Sequence, residues 1–288
     1  MKRKETKRRY LRRGVVLVTV LWSIALLSAL AMAASVTFRG FAGVMVVDRN
    51  RAQADALLTA GLEASANMIE TLGDAPLREV EITVSLSTGS VRAHLDDEGG
   101  RVDIGKAPVV VIAALLRSVG APPAAADGIA RRVVELRAPS KPASGAARPG
   151  TEQAFTDIRQ LAQVPGMRPE WLAAIAPFTT VYGSETVNPL TAPRGVIAAL
   201  PGVDTARLES FLATRRSSPA DADRLARVLG PAQQYLAAKP QRVAAVELTA
   251  RLADGHLAAA RAVIVVLAQD SEPYRVLVFT PVRSPKLM

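Results

Sequence analysis

The chain has 288 residues, 49% of them hydrophobic and none of them cysteine. It can bury a sizeable core, while disulfide frameworks, thiolate metal sites and cysteine nucleophiles are excluded. The formal net charge of +10 is mostly local: residues 2–13 hold eight Lys or Arg against Glu5, a net of +7, which leaves +3 for the rest of the chain. The charge is therefore a topology signal and not a footprint for nucleic acid.

Gly14 closes this basic leader (1–14), residues 15–38 are uncharged, and no proline occurs before Pro76. An uncharged helix of that length covers the roughly 30 Å hydrocarbon core of a bilayer, and the basic end stays on the cytoplasmic side. The pattern predicts a single-pass membrane helix with a cytoplasmic N-terminus. A secretory signal peptide cut at Ala31-Met32-Ala33 and a plain anchor are the competing readings; the apolar run is longer than the usual h-region of about 7 to 15 residues.

The helix is expected to continue to about residue 75. Leu58, Leu62, Ile69 and Leu72 share one face, and Gly73 stands at a C-terminal cap position. Its inner half is apolar all round and its outer half is amphipathic, as packing on a sheet requires. Residues 76–106 then form a first β-region, with a hairpin of 81–86 and 91–95 around the turn cluster Ser87-Thr88-Gly89-Ser90.

Residues 107–241 change to short Ala- and Leu-rich helical segments broken by Pro and Gly, with a loop rich in Pro, Ser, Ala and Gly at 139–150. Residues 242–288 return to strands, at 243–252, which ends at the turn signal Asp254-Gly255, and at 262–267 and 275–280. Strands at both ends with helices between predict an α+β fold: a long helix on a small antiparallel sheet, with an inserted all-α domain.

The middle repeats itself. Leu161-x-x-Val164-Pro165-Gly166-Met167 and Ile197-x-x-Leu200-Pro201-Gly202-Val203 match at an offset of 36, and each precedes an apolar pair, Leu172 and Ile175 or Leu208 and Phe211. These units, near 157–178 and 193–216, have the helix-hairpin-helix pattern with Gly166 and Gly202 at the turns. Such turns often hold DNA phosphates on backbone amides, so a membrane-anchored, competence-type DNA-binding protein is the alternative function. The second glycine that opens those amides is replaced by Arg168 and Asp204, and Asp204 puts a negative charge where a phosphate would lie. A packing unit for protein contact, with no nucleic-acid partner, is the favoured reading.

Enzyme signals are weak. Residues 100–106 satisfy the first seven positions of a P-loop, but Ala107 stands where the Mg²⁺-binding hydroxyl belongs and Pro108 removes an amide. His94 and His256 lie on strands or turns without a metal or nucleophile motif nearby. Trp22 belongs to the membrane helix and Trp171 to a hairpin core.

Several stretches together resemble the K-type minor pseudopilin of type II secretion systems, the general secretion pathway protein K family. They are Gly14-Val-Val-Leu-Val-Thr19, Asp97-Glu98-Gly99-Gly100-Arg101-Val102-Asp103-Ile104, Gly150-Thr151-Glu152, the segment from Leu161 to Met167, and Val187-Asn188-Pro189-Leu190-Thr191-Ala192-Pro193. The resemblance implies a non-enzymatic protein of the bacterial inner membrane with a periplasmic C-terminal region. It also implies prepilin peptidase cleavage between Gly14 and Val15, with N-methylation of Val15.

Thr19 then occupies the fifth mature position, where most pilin-like proteins carry a glutamate that pairs with a neighbouring subunit; a subunit first in its filament has no such neighbour. The implied partners are the I- and J-type minor pseudopilins of a tip complex and the inner-membrane assembly platform. The family's calcium-binding acidic segment corresponds to residues 133–138, where only Glu135 is acidic. Calcium takes six to eight oxygen ligands, and Glu135 with Glu152 would not hold it well, so no metal or cofactor is assigned.

Overall fold

The structure, a computed structural model, describes residues 3–73, 75–78, 80–137, 155–238, 242–267 and 272–282; side chains before residue 18 and at 34–43 also lie outside the description. The chain opens with α1 (Arg3–Leu72) and divides within that helix into two compact units, 1–56 and 57–288. In the first unit every described side chain from Val18 to Ala33 is exposed, Trp22 and Met32 to 73%. Among the described residues no helix is long and apolar enough to cross a membrane. The expected span at 15–38 falls partly, at 15–17 and 34–38, on side chains outside the described residues.

In the second unit α1 is followed by β1 (Val80–Leu86), β2 (Gly89–Asp97), β3 (Val102–Asp103), α2 (Val109–Ser118), α3 (Pro123–Arg137), α4 (Pro169–Ile175) and β4 (Thr179–Thr180). Then come α5 (Arg194–Ala199), α6 (Thr205–Ser217), α7 (Ala222–Val228), β5 (Val243–Leu252), β6 (Leu257–Val266) and β7 (Tyr274–Val282). Five strands make one antiparallel sheet in the order β1-β2-β5-β6-β7. The fold is thus α+β, as expected.

Alternation puts Val91, Ala93 and Leu95 of β2 on one face with Val246, Leu248 and Ala250 of β5 and Ala260, Ala262 and Ile264 of β6, all buried. In the second unit α1 buries Leu57, Leu58, Leu62, Ala66 and Ile69; each large side chain contributes about 1.5–3 kcal/mol. Gly61 permits the helix to approach the sheet, because a Cβ there would lie 2.7 Å from Leu248 Cδ2 and 3.0 Å from Val91 Cγ2. Gly73, at φ +55°, ends the helix in the left-handed conformation that glycine tolerates best.

Several boundaries differ from the sequence reading. The hairpin turn is only Ser87-Thr88, since Gly89 already pairs with Leu86. β6 starts at Leu257 instead of near Ala262 because pairing with β5 draws in the run from Ala258 to Ala260, which has little strand preference of its own.

β2 and β5 are neighbours, so everything between them is inserted into the sheet. The insertion has its own core, with Ile104, Leu116, Ile129, Leu161, Ile175, Ile197, Phe211, Leu225 and Leu229 all buried. The segment expected to be all helical, 107–241, contains among the described residues one short strand, β4, which pairs in parallel with β3 from the expected β-region, Val102 with Thr179 and Asp103 with Thr180. The Pro-rich loop at 139–150 lies outside the described residues.

Gly61→Leu is expected to destabilise the protein by about 1–3 kcal/mol, because overpacking against Val91 and Leu248 outweighs a gain of about 1 kcal/mol in helix propensity. A urea midpoint lowered at unchanged slope is the readout.

Candidate functional site

At the root of the insertion, where β2 ends, buried polar side chains and close backbone contacts come together. Asp97 continues the inward-facing series of Val91, Ala93 and Leu95, so its carboxylate enters the interior. There it accepts hydrogen bonds from Gly99 N (2.8 Å), Asn188 Nδ2 (3.1 Å) and Thr191 Oγ1 (2.6 Å). Asn188 N also donates to Gly99 O at 2.8 Å. A Cβ on Gly100 would lie 2.9 Å from the Thr191 carbonyl carbon and 3.0 Å from Ala192 N, so only glycine fits against that backbone. Residues 97–100 and 188–192 are thereby one buried contact.

Five further charged residues extend it. Buried Glu98 accepts from an Arg101 Nη at 2.8 Å. Asp103 accepts from Gly105 N at 2.7 Å, with Lys106 Nζ 3.6 Å away, and its Oδ2 has no hydrogen-bond partner among the described residues. Lys106 donates to Gly183 O (2.8 Å), while Arg137 donates to Ala107 O (2.7 Å) and to Ile104 O, tying the end of α3 to the turn before α2. Burial pushes the carboxyls of Asp97, Glu98 and Asp103 above the usual range, against the lowering by Thr191, Arg101 and Lys106 respectively. In the stretch that resembled a P-loop, the Gly105 amide is taken by the protein's own carboxylate.

The residues singled out from the sequence are dispersed. Gly14 and Val15 lie on α1, with side chains outside the described residues. Thr19 also lies on α1, where its carbonyl accepts from Ser23 Oγ at 2.8 Å. Gly166 and Gly202 adopt φ +90° and +82°, but the glycine turn at Gly166 is preceded by a 3-10 turn at Ile158–Gln163 where that at Gly202 is preceded by α5. Asp204 caps α6, accepting from Arg207 N at 2.8 Å, so this helix N-terminus already carries an acid.

Glu135 is exposed on α3, and Glu152 lies outside the described residues. His94 Nε2 is 3.6 Å from Asp96 Oδ1, and His256 is exposed in the β5–β6 turn. Among the described residues no group of three His, Asp or Glu is placed to hold a metal.

The sequence reading missed a cavity of about 790 Å³ between the insertion and the polar face of the sheet. Ile158, Met167, Leu172 and Tyr182 line one side, Val263 and Val278 the other. Its lining is scattered between residues 98 and 278, which no local motif reveals.

A long helix packed on an antiparallel sheet, with a helix-rich insertion between adjacent strands, is the architecture implied by the pseudopilin resemblance. The structure is similar to a chain of the crystal structure of the GspK-GspI-GspJ complex from the type 2 secretion system of enterotoxigenic Escherichia coli. The TM-score is 0.52 at 16% identity, covering 82% of this chain and 100% of that chain. At that identity the likeness establishes a shared fold. No protein-family model and no curated protein matches the chain.

Asp97→Ala is expected to cost about 2–4 kcal/mol, because it strands buried donors on Gly99, Asn188 and Thr191. The raised carboxyl of Asp103 gives a pH signature. Its contribution to stability is fully present below the ordinary value of 3.8 and is lost as pH rises through the raised folded-state value. Asp103→Asn is therefore expected to gain stability relative to the wild type as pH rises from below 3.8 toward neutrality, as read by urea melts in paired buffers.

Proposed function

We propose that this chain is a K-type minor pseudopilin of a type II protein secretion system, a non-enzymatic subunit that helps to initiate and cap the pseudopilus. The observation that carries the reading is the shared fold, which spans all of the matched chain from the GspK-GspI-GspJ complex. The basic leader, Gly14 and the apolar run behind it support the reading independently.

Prepilin peptidase cuts between Gly14 and Val15, and Val15 is then methylated. The helix from Val15 spans the inner membrane with the remainder of the chain in the periplasm. The exposure of the described side chains from Val18 to Ala33 supports this, since a span is apolar toward lipid on every side. Ala25, Ser28, Ala29 and Ala33 let neighbouring helices approach closely.

Thr19 in place of glutamate suits a subunit with none above it, because a carboxylate at that depth is costly unless paired. The insertion adds bulk that blocks further addition. The partners are I- and J-type minor pseudopilins and the assembly platform; calcium is not part of the proposal.

Native protein isolated from membranes is expected to begin at Val15 with an added methyl group and to copurify with I- and J-type subunits. Gly14→Leu should leave an uncut precursor and stop secretion. A start at Ala34, an intact Met1, or normal secretion by the variant would overturn the reading.

A further inference from the structure

Arg39 ends the uncharged stretch at 15–38, but the chain does not turn polar there. Residues 40–47 read Gly-Phe-Ala-Gly-Val-Met-Val-Val, so Arg39 is the one charged residue from 15 to 47, and Asp48, Arg49 and Arg51 mark the end of the apolar run. α1 continues through this stretch without a break. Val44, Met45, Val46 and Val47 are each 56–70% exposed.

Four consecutive residues of an α-helix point in four directions about 100° apart, so the apolar surface at 44–47 runs all the way round. A protein partner on one side would cover one or two of these side chains and leave the others in water. Where the same helix packs on protein, its pattern is different: Leu57, Leu58, Leu62 and Ile69 are buried on one face, while Glu63, Asn67 and Glu70 are exposed on another. An apolar surface on every side calls for an apolar medium on every side. The exposed run from Val18 to Ala33 has the same character.

Length sets how such a run fits a bilayer. At about 1.5 Å per residue, the stretch from 15 to 47 measures about 50 Å, against about 30 Å of hydrocarbon and about 40–45 Å with the headgroup layers included. An upright helix would push 44–47 into water. Tilted by about 30–40°, within the range of membrane helices, the stretch measures about 38–43 Å along the bilayer normal and stays inside the headgroup layers. Position 39 then lies about 10 Å below position 47 along that normal, a depth from which the long stem of an arginine reaches the headgroups.

We infer that the lipid-contacting surface of α1 continues past Arg39 to Val44, Met45, Val46 and Val47, and that these four residues sit in the outer headgroup layer of a bilayer that α1 crosses at a tilt. The partner of this turn is phospholipid, and Asp48, Arg49 and Arg51 form the polar collar at the outer surface. The inference rests on the reading of residues 15–38 as a membrane span, and the test separates the two.

Because the chain has no cysteine, one fluorophore can be placed in the full-length protein by Leu26→Cys, Val44→Cys, Met45→Cys, Val46→Cys or Val47→Cys. Each variant is reconstituted in vesicles of phosphatidylethanolamine and phosphatidylglycerol, diluted so that few vesicles hold two copies. Some vesicles contain lipid with a nitroxide quencher on the headgroup or in mid-chain, and iodide is added to others on both sides. The label at 26 is expected to lose most of its emission to the mid-chain quencher. Labels at all four positions from 44 to 47 are expected to lose most of theirs to the headgroup quencher and to be shielded from iodide. Quenching at 26 with fewer than four of the outer positions quenched by lipid, or with any of the four as open to iodide as free label, would overturn the inference and leave the span standing. Absence of lipid quenching at 26 would overturn both.

Discussion

The second compact unit turns on one buried carboxylate. Asp97 is the last residue of β2 and sits in phase with the core positions of that strand, so the chain carries a carboxylate inward where it leaves the sheet. Burying such a group unpaired would cost several kcal/mol. The chain answers with three donors, two of them side chains about ninety residues downstream. Whatever path the insertion takes, it must bring Asn188 and Thr191 back to Asp97. The stretches around 97–104 and 187–193 stand out in the sequence because they satisfy each other, and Gly100 is glycine because the second stretch crosses directly over it.

Much of the scaffold was legible because strong periodicities wrote it. The span of β5 was readable from its sequence, as was the outer face of α1 with its glycine stop, because burial on one face imposes a repeat of 2 or 3.6. The start of β6 was not legible, since an alanine run takes the structure its neighbours impose. The root of the insertion was half legible: the alternation from Val91 to Leu95, carried one step further, places Asp97 inside, whereas its partners could not be identified without the fold. The cavity was illegible, being made by residues from 98 to 278 that share no local pattern.

The paired glycine turns show how one local motif serves different ends. At Gly202 the following helix is capped by Asp204, and Arg207 donates from the same helix to Gly202 O at 2.8 Å. At Gly166 the stabilising arginine comes instead from α3, with Arg132 donating to Pro165 O at 2.9 Å. In both cases a guanidinium binds a carbonyl of the turn. Both hydrogen bonds lie at the surface, where Gly166 and Gly202 are themselves exposed.

Asp97 pairs with Ala244 across the β2–β5 ladder, so the chain departs from the sheet and rejoins it at laterally adjacent positions, about 5 Å apart. The sheet therefore registers only the ends of the excursion. Because the entropy of closing a loop grows logarithmically, doubling the inserted length would cost the sheet only about 0.6 kcal/mol. The constraint on evolutionary change is thus local: the helical body can be enlarged, trimmed or resurfaced with little penalty to the strands beneath it, provided that the few residues clasping Asp97 are kept.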